Sequence, residues 1–171
     1  MTEAADKSIH ASAVRVGDHA VLIRGPSGSG KSRLAFDLLL AGRAGHIAPT
    51  RLVGDDRVHV WPHEAALMVR PAPALVGLIE VRGLGIRRCD FVPEAPVGLV
   101  VDLDAPDADR LPAPEALQAR IKGILIPRIP VQRGFSGLPL VIAGLTMTAN
   151  SSSADCSKEF GNHITLTIAT E

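Results

Sequence analysis

Residues 25–32 read Gly-Pro-Ser-Gly-Ser-Gly-Lys-Ser, a complete G-x-x-x-x-G-K-[ST] phosphate loop. Few folds can carry it, because the loop works only between a strand and the start of a helix. The sequence supplies both. Ala20-Val21-Leu22-Ile23 leads in as a short apolar strand, and Arg33 to Leu40 leads out as a helix with Leu34, Ala35, Leu38 and Leu39 on one face. Glycines let the backbone close around an anion without interference from a Cβ atom. Successive N–H groups then point at the anion, and the helix N-terminus adds positive potential. The pattern makes Gly25, Pro26, Ser27, Gly28, Ser29, Gly30, Lys31 and Ser32 the candidate nucleotide-binding residues. Lys31 is expected to reach the β- and γ-phosphates of ATP, and Ser32 to ligate Mg²⁺.

Composition narrows the classes of partner. A chain of 171 residues builds one good core and is too short for two sizeable domains. Eighteen basic residues balance eighteen acidic ones, which argues against non-specific nucleic-acid binding and against a polybasic membrane surface. No apolar run approaches the roughly 18 residues of a membrane span. Met1 to Ser8 is polar and lacks a signal-peptide core. Cys89 and Cys156 lie far apart without zinc spacing, the pattern of two free thiols in a reducing cytoplasm. Tyrosine is absent and aromatics are scarce, which disfavours stacking platforms for single-stranded nucleic acid.

Along the chain the order is mostly strand-like, and the fold class expected is α/β in a single domain. Arg51-Leu52-Val53-Gly54 leads into Asp55-Asp56. Val58-His59-Val60-Trp61 alternates as a strand, with Ala66-Leu67-Met68-Val69 as its hairpin partner. Gly98 to Leu103 is a continuous apolar run, the pattern of a strand buried on both faces. Pro112 to Lys122 holds a short helical turn or a loop. Ile124 to Pro127 and Leu138 to Ile142 read as two further strands. About twenty residues precede the first strand expected from the apolar pattern. Beyond Thr148 the composition turns polar and serine-rich, with one plausible edge strand over Ile164 to Ala169.

A phosphate loop says nothing about the acceptor. Asp55-Asp56 is more discriminating, because two adjacent carboxylates cannot both be buried cheaply without a cation or a proton. Beside Mg²⁺ and a γ-phosphate, one can hold metal or metal-bound water and the other can accept the proton of an attacking hydroxyl. Read without that context, the pair is a turn with solvated aspartates. Ile79-Glu80-Val81-Arg82-Gly83-Leu84-Gly85-Ile86 is a poor helix and a good tight, backbone-exposing loop. Glu80 there could complete an oxygen shell for a metal together with Ser32.

Taken together, residues 10–86 resemble the HPr kinase/phosphorylase family, whose members act on a serine of the phosphocarrier protein HPr. The phosphate loop, Asp55-Asp56-Arg57-Val58 and Ile79 to Ile86 carry the resemblance in the family's order. Weaker similarity continues through Leu99 to Leu103, Asp109-Arg110-Leu111 and Pro127-Arg128-Ile129-Pro130-Val131, so that it covers roughly residues 8–145. The resemblance implies a phosphoenolpyruvate-carboxykinase-like phosphate-loop kinase using ATP and Mg²⁺. Lys31 would bind phosphate, and Ser32 with Glu80 would hold the metal. Asp56 would be general base, with Asp55 its carboxylate neighbour. His10 matches a catalytic histidine and Arg110 an arginine that stabilises phosphate charge. The resemblance further implies an HPr-type phosphocarrier as partner and a homo-oligomer, a hexamer in the family, with a cytoplasmic location.

The chain also departs from the family. Longer members carry an N-terminal domain, so this chain resembles the short, catalytic-domain-only form of some α-proteobacteria. The catalytic domain is expected over residues 1–147, followed by an atypical segment over 148–171. The family's Gly-Arg-Asn does not recur; Gly134-Phe135-Ser136-Gly137 stands nearby, which favours phosphorylation over its phosphorolytic reversal. Two other readings fit the motifs. A small-metabolite kinase would use an arginine-rich lid, for which Arg82, Arg87 and Arg88 are the comparable cluster. An ATP-sensing module would bind nucleotide without transferring phosphate.

Overall fold

Val21 and Ile23 pack into one hydrophobic core while Ala20 and Leu22 pack into another, so the strand ahead of the phosphate loop is apolar on both sides. It is the centre of a sheet covered on two faces. The computed structural model describes residues 7–148. In chain order the elements are β1 (Ser12–Val16), β2 (His19–Arg24), α1 (Lys31–Arg43), β3 (Thr50–Gly54), β4 (Val58–His63), β5 (Ala66–Pro71), β6 (Leu78–Val81), β7 (Gly85–Arg88), β8 (Ala95–Leu103), β9 (Gln118–Ile121), β10 (Ile124–Val131) and α2 (Gly137–Thr146). Strand order in the main sheet is β3-β1-β2-β8-β10-β9. Strands β2, β8 and β10 run parallel, whereas β1, β3 and β9 pair antiparallel at the flanks.

Helices α1 and α2 cover one face through Leu34, Leu38, Leu39 and Val141. The β4–β5 hairpin covers the other through Val58, Val60, Leu67 and Val69, and β5 joins the sheet where Val69 pairs with Ala95 of β8. Strand β8 contributes Leu99, Val101 and Leu103 to the helical side and Val97 and Val100 to the hairpin side. That double burial accounts for its unbroken apolar sequence. The three parallel strands end at Arg24, Leu103 and Val131, bringing their carboxyl ends to one edge. Ligand sites of open α/β sheets form at this edge. No helix among the described residues is long and apolar enough to cross a membrane.

Several expectations need correction. Leu138 to Ile142 is not a strand but the N-terminal half of α2. A five-residue apolar run is ambiguous by period alone, and Pro139 is tolerated because it falls in the first turn. A strand, β1, already begins at Ser12, so far fewer than twenty residues precede the sheet. Pro112 to Lys122 contains both a 3₁₀ turn over Pro114–Leu117 and the strand β9. Ile79 to Ile86 is a hairpin of β6 and β7 that turns tightly at residues 82–84. Cys156 and the strand expected over Ile164 to Ala169 lie outside the described residues.

A charged lattice braces the parallel strands at their functional edge. Arg24 donates from Nε and Nη2 to the two Asp102 oxygens, both at 2.7 Å. Arg128 also donates to Asp102, and its other nitrogens reach Asp107 at 2.7 and 2.9 Å and the Ala116 carbonyl at 2.7 Å. Burial pushes the Asp102 carboxyl up, but hydrogen bonds and charge from Arg24 and Arg128 outweigh it and leave it below its ordinary value of 3.8. A carboxylate depressed in the folded state stabilises fully above its unfolded value, and that contribution is lost as pH falls through the lower folded value. Wild-type stability is therefore expected to drop below about pH 4. In Asp102→Asn this acid-dependent loss should shrink, and stability near pH 7 should fall by ~1.5–3 kcal/mol, the scale of a hydrogen bond to a charged group. Urea unfolding of both proteins across that pH range checks the sign and the size.

Candidate active site

The phosphate loop closes where β2 meets α1. Gly25 takes φ 151°, and a Cβ there would lie 2.7 Å from Ser29 Oγ and 2.9 Å from the Leu103 carbonyl, so only glycine lets the loop fold against β8. Gly30 occupies the N-cap of α1 at φ 96°, a left-handed conformation, and no side chain caps the helix. No acidic residue stands in the first turn either. The N–H groups that open α1 thus lack a side-chain acceptor, and a bound phosphate would supply one. Ser29 Oγ is buried without a partner in the same loop. These features fit an anion cradle.

Lys31 is 5% exposed and curls over its own loop, donating from Nζ to the Gly25 carbonyl at 2.9 Å and the Pro26 carbonyl at 2.8 Å. Burial holds its ammonium below the ordinary value, and the negative charges of Asp56 and Asp55 pull the other way. A cation sunk in a loop of carbonyls is placed to exchange them for phosphate oxygens.

The two aspartates divide sharply. Both lie in the turn between β3 and β4, which the Arg57 N–H closes onto the Asp55 carbonyl at 2.8 Å. Asp55 is 3% exposed. Its Oδ1 accepts from Ser12 Oγ at 2.5 Å and Ser32 Oγ at 2.8 Å, and its Oδ2 accepts from the Glu80 backbone N–H at 3.1 Å. One carboxylate therefore ties β1, α1 and β6 together. Because Ser32 gives its hydroxyl hydrogen to Asp55, its lone pairs stay free for a cation. That donor geometry fits Mg²⁺, which takes one or two protein oxygens and completes its shell with phosphate and water. Among the described residues no group of three or more His, Cys, Asp and Glu side chains forms a metal cage.

Asp56 faces solvent, with its side chain 62% exposed, and adopts φ 66°. A left-handed conformation at an aspartate is tolerated but uncommon, and such residues gather at functional sites. His10 Nε2 stands 3.2 Å from Asp56 Oδ1. The neighbouring Ile9 holds the segment in place by exchanging two backbone hydrogen bonds with Val58 at 2.8 and 3.1 Å. The arrangement can hold a nucleotide phosphate at Gly25–Ser32 and offer an accessible carboxylate, steadied by an imidazole, as proton acceptor.

Lys31, Ser32, Asp55, Asp56 and His10 are thus brought into one neighbourhood. Glu80 joins through its backbone, while its side chain is exposed. Arg110 is not drawn in: its N–H bonds to Asp109 at 2.6 Å and its residue is exposed in the segment after β8. Sequence reasoning missed Ser12, which is fully buried and bonds directly to Asp55. The only signal was a hydroxyl inside the apolar run Ala11 to Val14. In the sequence Arg128 stands only within a block of weaker similarity, and its brace to Asp102 emerges only when β8 and β10 lie side by side.

A family model described as HPr Serine kinase C-terminal domain matches residues 2–154. The HPr kinase/phosphorylase of Limosilactobacillus reuteri (strain DSM 20016) is 32% identical over 174 residues, covering 92% of this chain and 52% of the relative. That of Enterococcus faecalis (strain ATCC 700802 / V583) is 34% identical over 176 residues, covering 94% and 54%. The chain spans about half the length of the curated relatives it matches. Among solved structures, the Hpr(Ser) kinase/phosphatase from Coxiella burnetii superposes with a TM-score of 0.63 at 25% identity, covering 81% of this chain and 87% of that one.

Proposed function

The chain belongs to the HPr serine kinase C-terminal domain family, and from that premise we propose that it transfers the γ-phosphoryl group of ATP to a serine of an HPr-type phosphocarrier protein. The relatives named HPr kinase/phosphorylase support the substrate. The observation that carries the chemistry is the division of labour at Asp55-Asp56: one carboxylate buried and bonded to Ser32, the other exposed and paired with His10. In this reading the catalytic domain is residues 1–147, and it works as a homo-oligomer, which sedimentation would test.

The phosphates of ATP lie on the N–H groups of Gly25–Ser32, with Lys31 balancing their charge. Ser32 and Glu80 would hold Mg²⁺, which would supply positive charge against the phosphate oxygens. Asp56 accepts the proton of the attacking serine hydroxyl, and His10 orients the carboxylate. Asp55 does not meet substrate; it fixes Ser32 and the backbone of β6. Arg110, exposed and outside this network, would contribute once a protein substrate covers the segment that carries it.

Incubating the chain with γ-labelled ATP, Mg²⁺ and an HPr-type phosphocarrier tests the reading, with a carrier whose target serine is replaced by alanine as control. Label on the unaltered carrier alone is expected. ATP binding without label on any such carrier would replace the kinase by an ATP-sensing module. The Asp55 contacts give a further expectation. In Ser12→Ala, Asp55 loses its shortest donor, and the Mg²⁺ concentration needed for half-maximal nucleotide binding should rise about tenfold, as for other groups that orient metal ligands. An unchanged Mg²⁺ requirement in a calorimetric titration would confine Ser12 to a packing role.

A further inference from the structure

A cavity of about 440 Å³ opens beside the phosphate loop. Gly28 and Gly30 line it, together with Phe135 and Ser136 from the loop between β10 and α2. None of Lys31, Asp55, Asp56 and His10 lines it. Its volume falls in the ~300–1,000 Å³ range of small-molecule sites.

The lining tells which part of a ligand belongs there. Leu34, Leu103 and Val131, all nearly buried, provide an apolar floor. The charges cancel in kind: Arg33 and Arg82 against Asp37 and Asp104, with Arg33 Nε 3.8 Å from Asp37 Oδ2. With two arginines set against two aspartates, the lining has no net positive charge to select a second phosphate. A neutral, flat group with hydroxyl and amino donors would meet an apolar floor and two acceptors instead. Phe135 adds an aromatic ring at the rim, and it is 67% exposed although it lies beside this floor. An aromatic side chain left in water next to a pocket is suited to stack on a base.

We propose that this cavity is the nucleoside subsite, in which the base of the nucleotide stacks on Phe135 while Asp37 and Asp104 accept hydrogen bonds from the ribose or the base. The inference rests on the kinase reading, because it takes the phosphates to lie on Gly25–Ser32. The nucleoside end of the nucleotide then meets Phe135, while the transferring end is left to Asp56, which does not line the cavity.

Mg·ADP and Mg·pyrophosphate carry the same diphosphate and differ by the nucleoside, so calorimetry with both on the full chain tests the assignment. The wild-type chain should bind ADP at least about tenfold more tightly than pyrophosphate. Phe135→Ala should weaken ADP by about fivefold or more, the scale of a lost base–aromatic stack, and leave pyrophosphate within about twofold. Phe135→Tyr should restore ADP binding. Equal wild-type affinity for the two ligands would overturn the subsite while leaving the phosphate loop intact. So would an Ala variant that weakens neither ligand, or both alike. If neither ligand binds the wild-type chain, the kinase reading fails and the subsite fails with it. Because Phe135 is so exposed, the Ala variant should fold as the wild type does.

Discussion

The Lys31→Ala variant is expected to transfer phosphate at least ~100-fold more slowly than the wild-type chain, the loss typical of removing a preorganised charge from a transition state. The Lys31 ammonium is held in place before substrate arrives, by two carbonyls of its own loop. Swapping those contacts for phosphate oxygens needs little movement, so the stabilisation is available at the moment charge develops. The variant removes a buried cation, and with it the desolvation that lowers the lysine's proton affinity. The fold should therefore survive, and melting by circular dichroism should confirm it. A variant that melts like the wild type and turns over normally would remove Lys31 from the chemistry. Single-turnover rates at saturating ATP separate that effect from weakened binding.

Asp56→Asn is expected to cost a similar factor, at least ~100-fold in kcat, with KM for ATP little changed. Asparagine is the informative replacement. It keeps the size of the side chain and tolerates the φ of 66°, whereas alanine would add backbone strain to the loss of the base. The side chain is largely in solvent, so its amide costs the fold little. ATP should still bind, because the loop and Lys31 are untouched. Near-wild-type turnover would assign the proton to another acceptor, and His10, 3.2 Å away, would be the next residue to replace.

What could be read from the sequence depended on whether local chemistry or long-range pairing decides a residue's place. The phosphate loop, its flanking strand and its helix were legible because glycines, a lysine and an apolar stripe within about two dozen residues specify them together. The β4–β5 hairpin was legible from its period-two alternation. Nothing local separates Asp55 from Asp56. Which carboxylate is buried depends on Ser12 and Glu80, 43 and 25 residues from Asp55 in sequence. Leu138 to Ile142 misled because a short apolar run suits a strand and a buried helix equally. The choice was made by Val141 packing with Leu34 and Leu38 in the core beneath the two helices. Ser12 carries no motif and Arg128 stands only in a block of weak similarity, and each acquires its role through a partner that the chain's topology brings to it.

The parallel trio β2, β8 and β10 has a consequence for biosynthesis. A chain emerging from the ribosome completes its phosphate loop by residue 32, yet β2 gains its parallel neighbour only after β8 ends at Leu103, and the Arg128 brace comes later still. Until then Gly25 has no Leu103 carbonyl to fold against, and Asp102 has not yet met Arg24. The phosphate loop is among the first segments translated, and the strand it folds against follows much later in the chain. A nascent chain released early would carry the motif intact but lack the strand that backs it.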